Sequence, residues 1–256
     1  MKKILLVLAV IALSVFMLAS CTVDEVDENA KNSVDAKDNV EPVDEGKEEN
    51  EEVVDEDVMT YADYVAAAID DEVVIDAYVQ GKQSWWDNKA TVYTQDEDGA
   101  YFLYEMACSE EDYAKLDNGT HIKVKGYKAE WSGEVEIVDA TFEIIDGNYI
   151  AKAVDATAWL GTDELVQHQN ELVSFKKMTV ESVSYKNDEP GDDIYVTLSK
   201  DGASYDFCVE YYLTGTETDV YKTVGELEVG DVVDVEGFLY WYNGPNPHIT
   251  AISVAE

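Results

Sequence analysis

Beyond residue 58 the chain is a succession of short runs in which apolar, β-branched and aromatic side chains alternate with polar ones, broken by Gly, Asn and Asp. A period of two places successive side chains on opposite faces of an extended strand, so this texture predicts half-buried β-strands joined by turns. The pattern occurs twice. Each half opens on a short helix-like piece, residues 61–69 and 163–170, and runs into a strand, 72–80 and 172–185. A hairpin follows in both. Residues 90–94 turn at Asp96-Glu97-Asp98-Gly99 into 101–106, and 194–198 turn at Asp201-Gly202 into 204–210, where Asp-Gly is favoured hairpin-turn chemistry.

The closest internal match comes next. Asn118-Gly119-Thr120-His121-Ile122-Lys123-Val124-Lys125-Gly126-Tyr127 parallels Val229-Gly230-Asp231-Val232-Val233-Asp234-Val235-Glu236-Gly237-Phe238. Each is a turn glycine, an alternating strand, a second glycine seven positions on, and an aromatic. Ile122 and Val124 share one face, as do Val233 and Val235, which suits a strand with one buried side. The second glycine marks a bend or bulge where a sheet must curl. A tryptophan follows in each half, Trp131 and Trp241, then a loop and a last apolar strand, 135–145 and 249–254.

This arrangement resembles the oligonucleotide- and oligosaccharide-binding (OB) fold, a five-stranded Greek-key barrel. The resemblance implies an all-β protein of two tandem OB-like barrels with short helices, the first over 59–149 and the second over 159–256. Residues 150–158 connect them and are apolar enough to continue an element of the first. In the first half a helix fits between strands three and four, with Ser109 as cap, an acidic first turn, and Tyr113 and Leu116 as its apolar edge. The second half departs from the pattern. Its connection, 214–228, is rich in threonine and leaves only 220–227 for a helix, and its last loop, Asn243-Gly244-Pro245-Asn246-Pro247, is stiffer than Ser132-Gly133.

The first residues address a different question. Lys2 and Lys3 precede an apolar stretch over 4–18, too short to span a bilayer, and small residues lead to Cys21. Leu18-Ala19-Ser20-Cys21 resembles the lipobox of bacterial lipoproteins. That resemblance implies a signal peptide over 1–20, lipid on Cys21, and an extracytoplasmic protein anchored to the bacterial cell membrane. Residues 22–58 hold 16 Asp or Glu, three Lys and no aromatic. Such a stretch buries too little to offset its ordering entropy, so 21–58 reads as a disordered acidic tether.

Charge and chemistry narrow the function. The net charge is −39, and all 17 basic residues are lysine. Without arginine the chain lacks the usual bidentate partner of phosphate and guanine, and its acidity repels polyanions, which argues against nucleic acid as a partner. Weak divalent-cation association at Asp96-Glu97-Asp98 or Asp188–Asp193 is compatible, but neither has the spacing of an EF-hand loop, and no metal site or cofactor is expected. Cys108 and Cys208 are either a disulfide or two separately packed thiols. His121, His168 and His248 are scattered, and no nucleophile elbow, zinc motif or phosphate loop is present, so catalysis is not expected. The aromatics are the candidates for binding. Trp85 and Trp86 lie between the first two strands and Trp131 between the last two, loops that flank the usual binding face of the resembled fold, so the three are expected to line one cleft. The second-half set is Tyr185, Trp241 and Tyr242. The reading reached is a non-catalytic, surface-anchored binding or structural module whose ligand is a protein, peptide or cell-wall component, glycans included. The alternative is a surface lipoprotein that binds single-stranded nucleic acid or oligosaccharide.

Overall fold

The computed structural model describes residues 58–254; the expected signal peptide over 1–20, the expected lipidation at Cys21 and all but the last residue of the expected tether over 21–58 lie outside the described residues. After the short helix α1 (Tyr61–Ala66), capped by the Thr60 hydroxyl, come β1 (Glu72–Lys82), β2 (Lys89–Gln95) and β3 (Ala100–Ala107). Helix α2 (Glu110–Tyr113) then leads to β4 (Thr120–Trp131) and β5 (Glu134–Asn148). These five strands close into a barrel in the order β1-β2-β3-β5-β4, with all pairings antiparallel except β3–β5. That ring, with α2 between the third and fourth strands, is the OB topology. Ser109 caps α2 through its hydroxyl, as the sequence indicates.

The second sheet repeats the order. It contains β6 (Val154–Asp155), β7 (Leu172–Tyr185), β8 (Ile194–Lys200), β9 (Ala203–Val209), β10 (Val232–Phe238) and β11 (His248–Val254), with α3 (Tyr211–Thr214) and α4 (Asp219–Gly225) between β9 and β10. β7 pairs with β8, β8 with β9, β9 in parallel with β11, β11 with β10, and β10 again with β7. Both second glycines sit at register shifts, Gly126 between β4 and β5 and Gly237 between β10 and β11. A Cβ on Gly126 would come within 2.7 Å of Ile137 Cγ2, and one on Gly237 would run into the His248 carbonyl. Close approach of a neighbouring strand is therefore what these glycines serve.

Two expectations change, and the alternative left open for the cysteines closes. Residues 163–170 form only a 3₁₀ turn, Leu165–His168, anchored by the buried Leu165. The connecting segment 150–158 extends nothing in the first barrel; its Val154–Asp155 pair in parallel with Val173 and Ser174 of the second sheet. Cys108 and Cys208 are buried free thiols, each with its pKa pushed up by desolvation, so they are not joined in a disulfide.

Each sheet encloses its own core, around Ile75, Leu103 and Ile122 in the first and around Phe175, Phe207 and Val235 in the second. A third apolar cluster lies between them. Tyr93 of β2 stacks on Phe238 of β10 with centroids 4.3 Å apart, and Phe102 of β3 meets Tyr240 at 5.4 Å. Tyr93 and Phe102 point out of the first barrel and are nonetheless buried. Strands β2 and β3 thus carry apolar side chains on both faces, one for the barrel core and one for the neighbouring sheet.

Candidate ligand-binding site

Two loops meet beside that third cluster. Between β4 and β5 the chain reverses through Ser132 (φ 53°) and Gly133 (φ 90°), the left-handed pair of a tight hairpin turn. Between β10 and β11 the longer loop closes on itself: Tyr242 N donates to Gly244 O at 2.8 Å and Asn246 N to Tyr240 O at 2.8 Å. Asn243 and Gly244 adopt positive φ there, and Pro245 and Pro247 stiffen the approach to β11.

Cross-bonds hold the loops together. Asn243 N donates to Ser132 O at 2.7 Å, and Trp241 N donates to the Glu134 carboxylate at 2.8 Å. From the segment before β7, the Gln169 side chain donates to Gly133 O at 2.8 Å and accepts from Val135 N at 3.1 Å. The hairpin tip of the first barrel is therefore fixed to the last loop of the second by main-chain and amide bonds, a geometry that varies little once formed.

The clamp sets Trp131 against Tyr242, ring centroids 5.3 Å apart and planes tilted by 33°. The rings are 52% and 53% exposed, so the pair shows its faces to solvent although its loops are anchored. Beside it lies a cleft of about 500 Å³ bordered by Trp241, Tyr242, Asn243, Asn246, Thr162 and Ser204. Glu134, fully buried behind the turn, has its pKa raised to about 8 by desolvation. At neutral pH Glu134 is thus largely protonated and adds little charge behind the turn.

Of the six expected aromatic residues, Trp131, Trp241 and Tyr242 come together, and they do so across the two halves. Trp85 is half-buried and its indole N–H donates to Cys108 O at 2.9 Å, while Trp86 is 67% exposed at the turn before β2. The Trp85–Trp86 loop is tied instead to α3, Ser84 N donating to Tyr212 O at 2.7 Å. Tyr185 packs against Tyr221 of α4 at 6.3 Å, on the helical side of the second sheet. The single cleft expected for Trp85, Trp86 and Trp131 is therefore corrected, because the Trp131 ring pairs with Tyr242. Residues that the sequence reading missed are Gln169 and Glu134, which hold the turn; neither shows a local signal, Gln169 standing in the polar run Gln167-His168-Gln169-Asn170 and Glu134 being one acid among many.

The acidic loops are turns with their own partners. Asp96 Oδ1 accepts from Asp98 N and Gly99 N at 2.7 and 2.8 Å, and Asp192 and Asp193 are paired with Lys186 at 3.2 and 3.0 Å. Among the described residues no cluster of His, Cys, Asp or Glu is arranged to hold a metal ion.

No family model matches the chain, and no curated protein does. Solved structures do. A murine DNA-binding protein with double-stranded DNA is 9% identical, with a TM-score of 0.36 over 72% of this chain and 96% of that one. The Ifi202 HINa domain in complex with 20-base-pair DNA is 12% identical, with a TM-score of 0.33 over 70% of this chain and 94% of that one. A replication protein A heterotrimer bound to single-stranded DNA is 12% identical, with a TM-score of 0.30 over 72% of this chain and 49% of that one. Against these DNA-bound structures, two expectations are corrected: a protein, peptide or cell-wall ligand, and nucleic acid as an unsuitable partner. The physical error was to read a local property from a global one. Net charge sums over the whole chain, 16 of its acids falling in 22–58, whereas an uncharged aromatic face stacks on a base without needing a cation.

Proposed function

We propose that the protein is a tandem OB-type binding protein that grips a single strand of nucleic acid by stacking its bases on Trp131 and Tyr242. The observation that carries this reading is the solvent-facing aromatic pair held across two loops by the Asn243–Ser132 and Trp241–Glu134 bonds. Stacking on such a face contributes about 1–3 kcal/mol per base and tolerates any sequence. The amide and hydroxyl groups of Asn243, Asn246, Thr162 and Ser204 supply donors and acceptors for base or sugar edges without adding charge. The same aromatic and hydroxyl lining, with the Asp206 carboxylate beside it, supports oligosaccharide as a second ligand of the same site. Placement outside the cell, through lipid on Cys21, belongs to the proposal and makes the ligand an extracellular one.

Electrostatics give the reading its sharpest signature. A conventional nucleic-acid site loses affinity steeply as salt rises, because it works by releasing counterions. Here the ligand meets a strongly acidic protein, so salt screens repulsion, and affinity stays flat or rises with ionic strength. The test is a tryptophan-fluorescence titration with oligo(dT), oligo(dA) and chito-oligosaccharides at low and at moderate salt. Quenching by the DNA strands that is undiminished by salt, and about ten-fold weaker binding by Trp131→Ala or Tyr242→Ala, is expected. Silence toward every strand, or unchanged binding by the double variant, would sink it; quenching by the sugars alone would transfer the site to oligosaccharide. Replacing Cys21 with Ser should release the chain from membranes if the anchor is real.

A further inference from the structure

We propose that Asp206 makes the stacking site selective for guanine, its carboxylate taking the N1–H and 2-amino donors of a base laid against Tyr242; this selectivity rests on the site's proposed binding of nucleic acid. Asp206 borders the same cleft as Trp241 and Tyr242. Among the described residues of that lining it alone carries a charge. It stands on β9, exposed to solvent, and its partner across the sheet orients it: the Thr197 hydroxyl donates to Asp206 Oδ1 at 3.1 Å.

Stacking tolerates every base, so selectivity has to come from what the base edges meet. Amides and hydroxyls both donate and accept, so Asn243, Asn246 and Thr162 can turn to suit any edge. A carboxylate only accepts. Guanine is the base whose Watson–Crick edge sets two donors side by side, N1–H and the 2-amino group, and these match the two oxygens of a carboxylate. Adenine and cytosine place a single amino donor beside a bare ring nitrogen, and thymine places its one N–H between two carbonyls. Each of those edges turns a lone pair toward Asp206, which forfeits the second bond and adds repulsion. Thr197 occupies one lone pair of Oδ1, and both oxygens keep others with which to accept. Bonds to an ionised acceptor are also the stronger kind, so the matched edge gains most. The same charge repels phosphate, which leaves the backbone outside and brings the base edge to Asp206.

The test is a fluorescence titration of the full chain, read from binding midpoints, with oligo(dT) and three strands in which one central thymine is replaced by guanine, adenine or hypoxanthine. Hypoxanthine is guanine without its 2-amino group. The guanine strand should bind about ten-fold tighter than oligo(dT), as one bidentate contact provides. The adenine strand should show no such gain, and hypoxanthine should forfeit most of it. Asp206→Asn keeps the shape of an exposed side chain, so the fold should hold while the preference for guanine over thymine disappears. Equal midpoints for guanine and thymine would overturn the selectivity and leave stacking in place. A preference that adenine shares, or that Asp206→Asn retains, would overturn it as well, because purine stacking would then account for the gain. Silence toward all four strands would remove the stacking site itself, and the selectivity with it.

Discussion

The two halves share a strand order but use their surfaces in opposite ways. In the first barrel the outward face of β2 and β3 carries Tyr93 and Phe102, and both are buried under Phe238 and Tyr240. The corresponding strands of the second sheet present Tyr195, 45% exposed, with Thr197, Ser204 and Asp206, joined by a Thr197–Asp206 hydrogen bond of 3.1 Å. In OB barrels the face of strands two and three is where ligands usually bind. The first barrel therefore devotes that face to holding its neighbour, and the second keeps its own in solvent. The connections differ to match. β4 and β5 are joined by two residues, whereas β10 and β11 are joined by Leu239–Pro247, and the longer loop lets Tyr242 reach Trp131. Two sheets of the same strand order can thus bring aromatic rings from two loops together only after another surface has been given up to fix their distance.

The join between the two sheets depends most on Phe238. It stacks on Tyr93 and is 3% exposed, and a Cβ on Gly81 would come within 2.7 Å of its ring, so the side chain fills the space between the sheets. Phe238→Ala should destabilise the protein by about 3–5 kcal/mol. Because each sheet keeps its own core, urea unfolding should then split into two transitions instead of one. A single cooperative transition with an unchanged midpoint would mean that the halves do not depend on each other.

Titration sharpens the same contrast, since the buried ionisable groups gather around the join. Burial raises Glu134 to about 8, Glu210 to about 7 and Glu136 to about 6. A carboxyl whose pKa is higher folded than unfolded keeps its proton in the native state after the unfolded chain has lost it. For Glu134, stability therefore falls as pH rises from about 4.5 to about 8. His248 runs the other way. Desolvation lowers it to about 3, so the unfolded chain gains a proton that the native state refuses, and stability falls as pH drops from 6.5 toward 3. Glu134→Gln should leave stability at pH 4.5 almost unchanged and raise it by about 4–5 kcal/mol at pH 9, read from denaturant midpoints at the two pH values. An equal shift at both would refute the assignment.

A smaller effect is expected at Tyr93. Its hydroxyl lies 2.8 Å from His248 Nδ1, and burial holds the phenol protonated, so it donates and the neutral imidazole accepts. Tyr93→Phe leaves that nitrogen buried without its partner and should cost about 1–2 kcal/mol. Hydrogen exchange should rise along β10 and β11 and stay unchanged at β4, which separates loss of the join from general loosening.

Much of this architecture is legible in the chain. The glycine-strand-glycine repeat locates β4 and β10 and places Gly126 and Gly237 at their bulges, because a close strand leaves no room for Cβ, and that requirement is local. Ser109 announces α2 for the same reason: a cap is satisfied within three residues. The pairing of Trp131 with Tyr242 has no such signature, since it depends on how one barrel is set against the other. The covered face did leave a trace. Val92-Tyr93 and Tyr101-Phe102-Leu103 are continuous apolar runs, and a strand buried on one side only would alternate. The turn Leu165–His168 lacked the length and the periodic face of a helix, and a single leucine suffices to anchor it.

The helices that connect third and fourth strands differ in how far they are packed. Ser109 caps α2 and Thr218 caps α4, each hydroxyl accepting from the main-chain N–H three residues on, at 3.1 and 3.4 Å. Their burial differs: α2 buries none of its residues, whereas α4 buries Tyr221 and Val224 against the second core. A cap stabilises folding only as far as the turn it fixes is coupled to tertiary packing. Thr218→Ala should therefore cost about 1 kcal/mol and Ser109→Ala about half as much, measured as shifts in the urea midpoint. If Ser109→Ala were the more harmful, α2 would be supporting the Cys108 side of the first barrel, where Trp85 bonds to the Cys108 carbonyl, and the division into a packed and an unpacked connection would not hold.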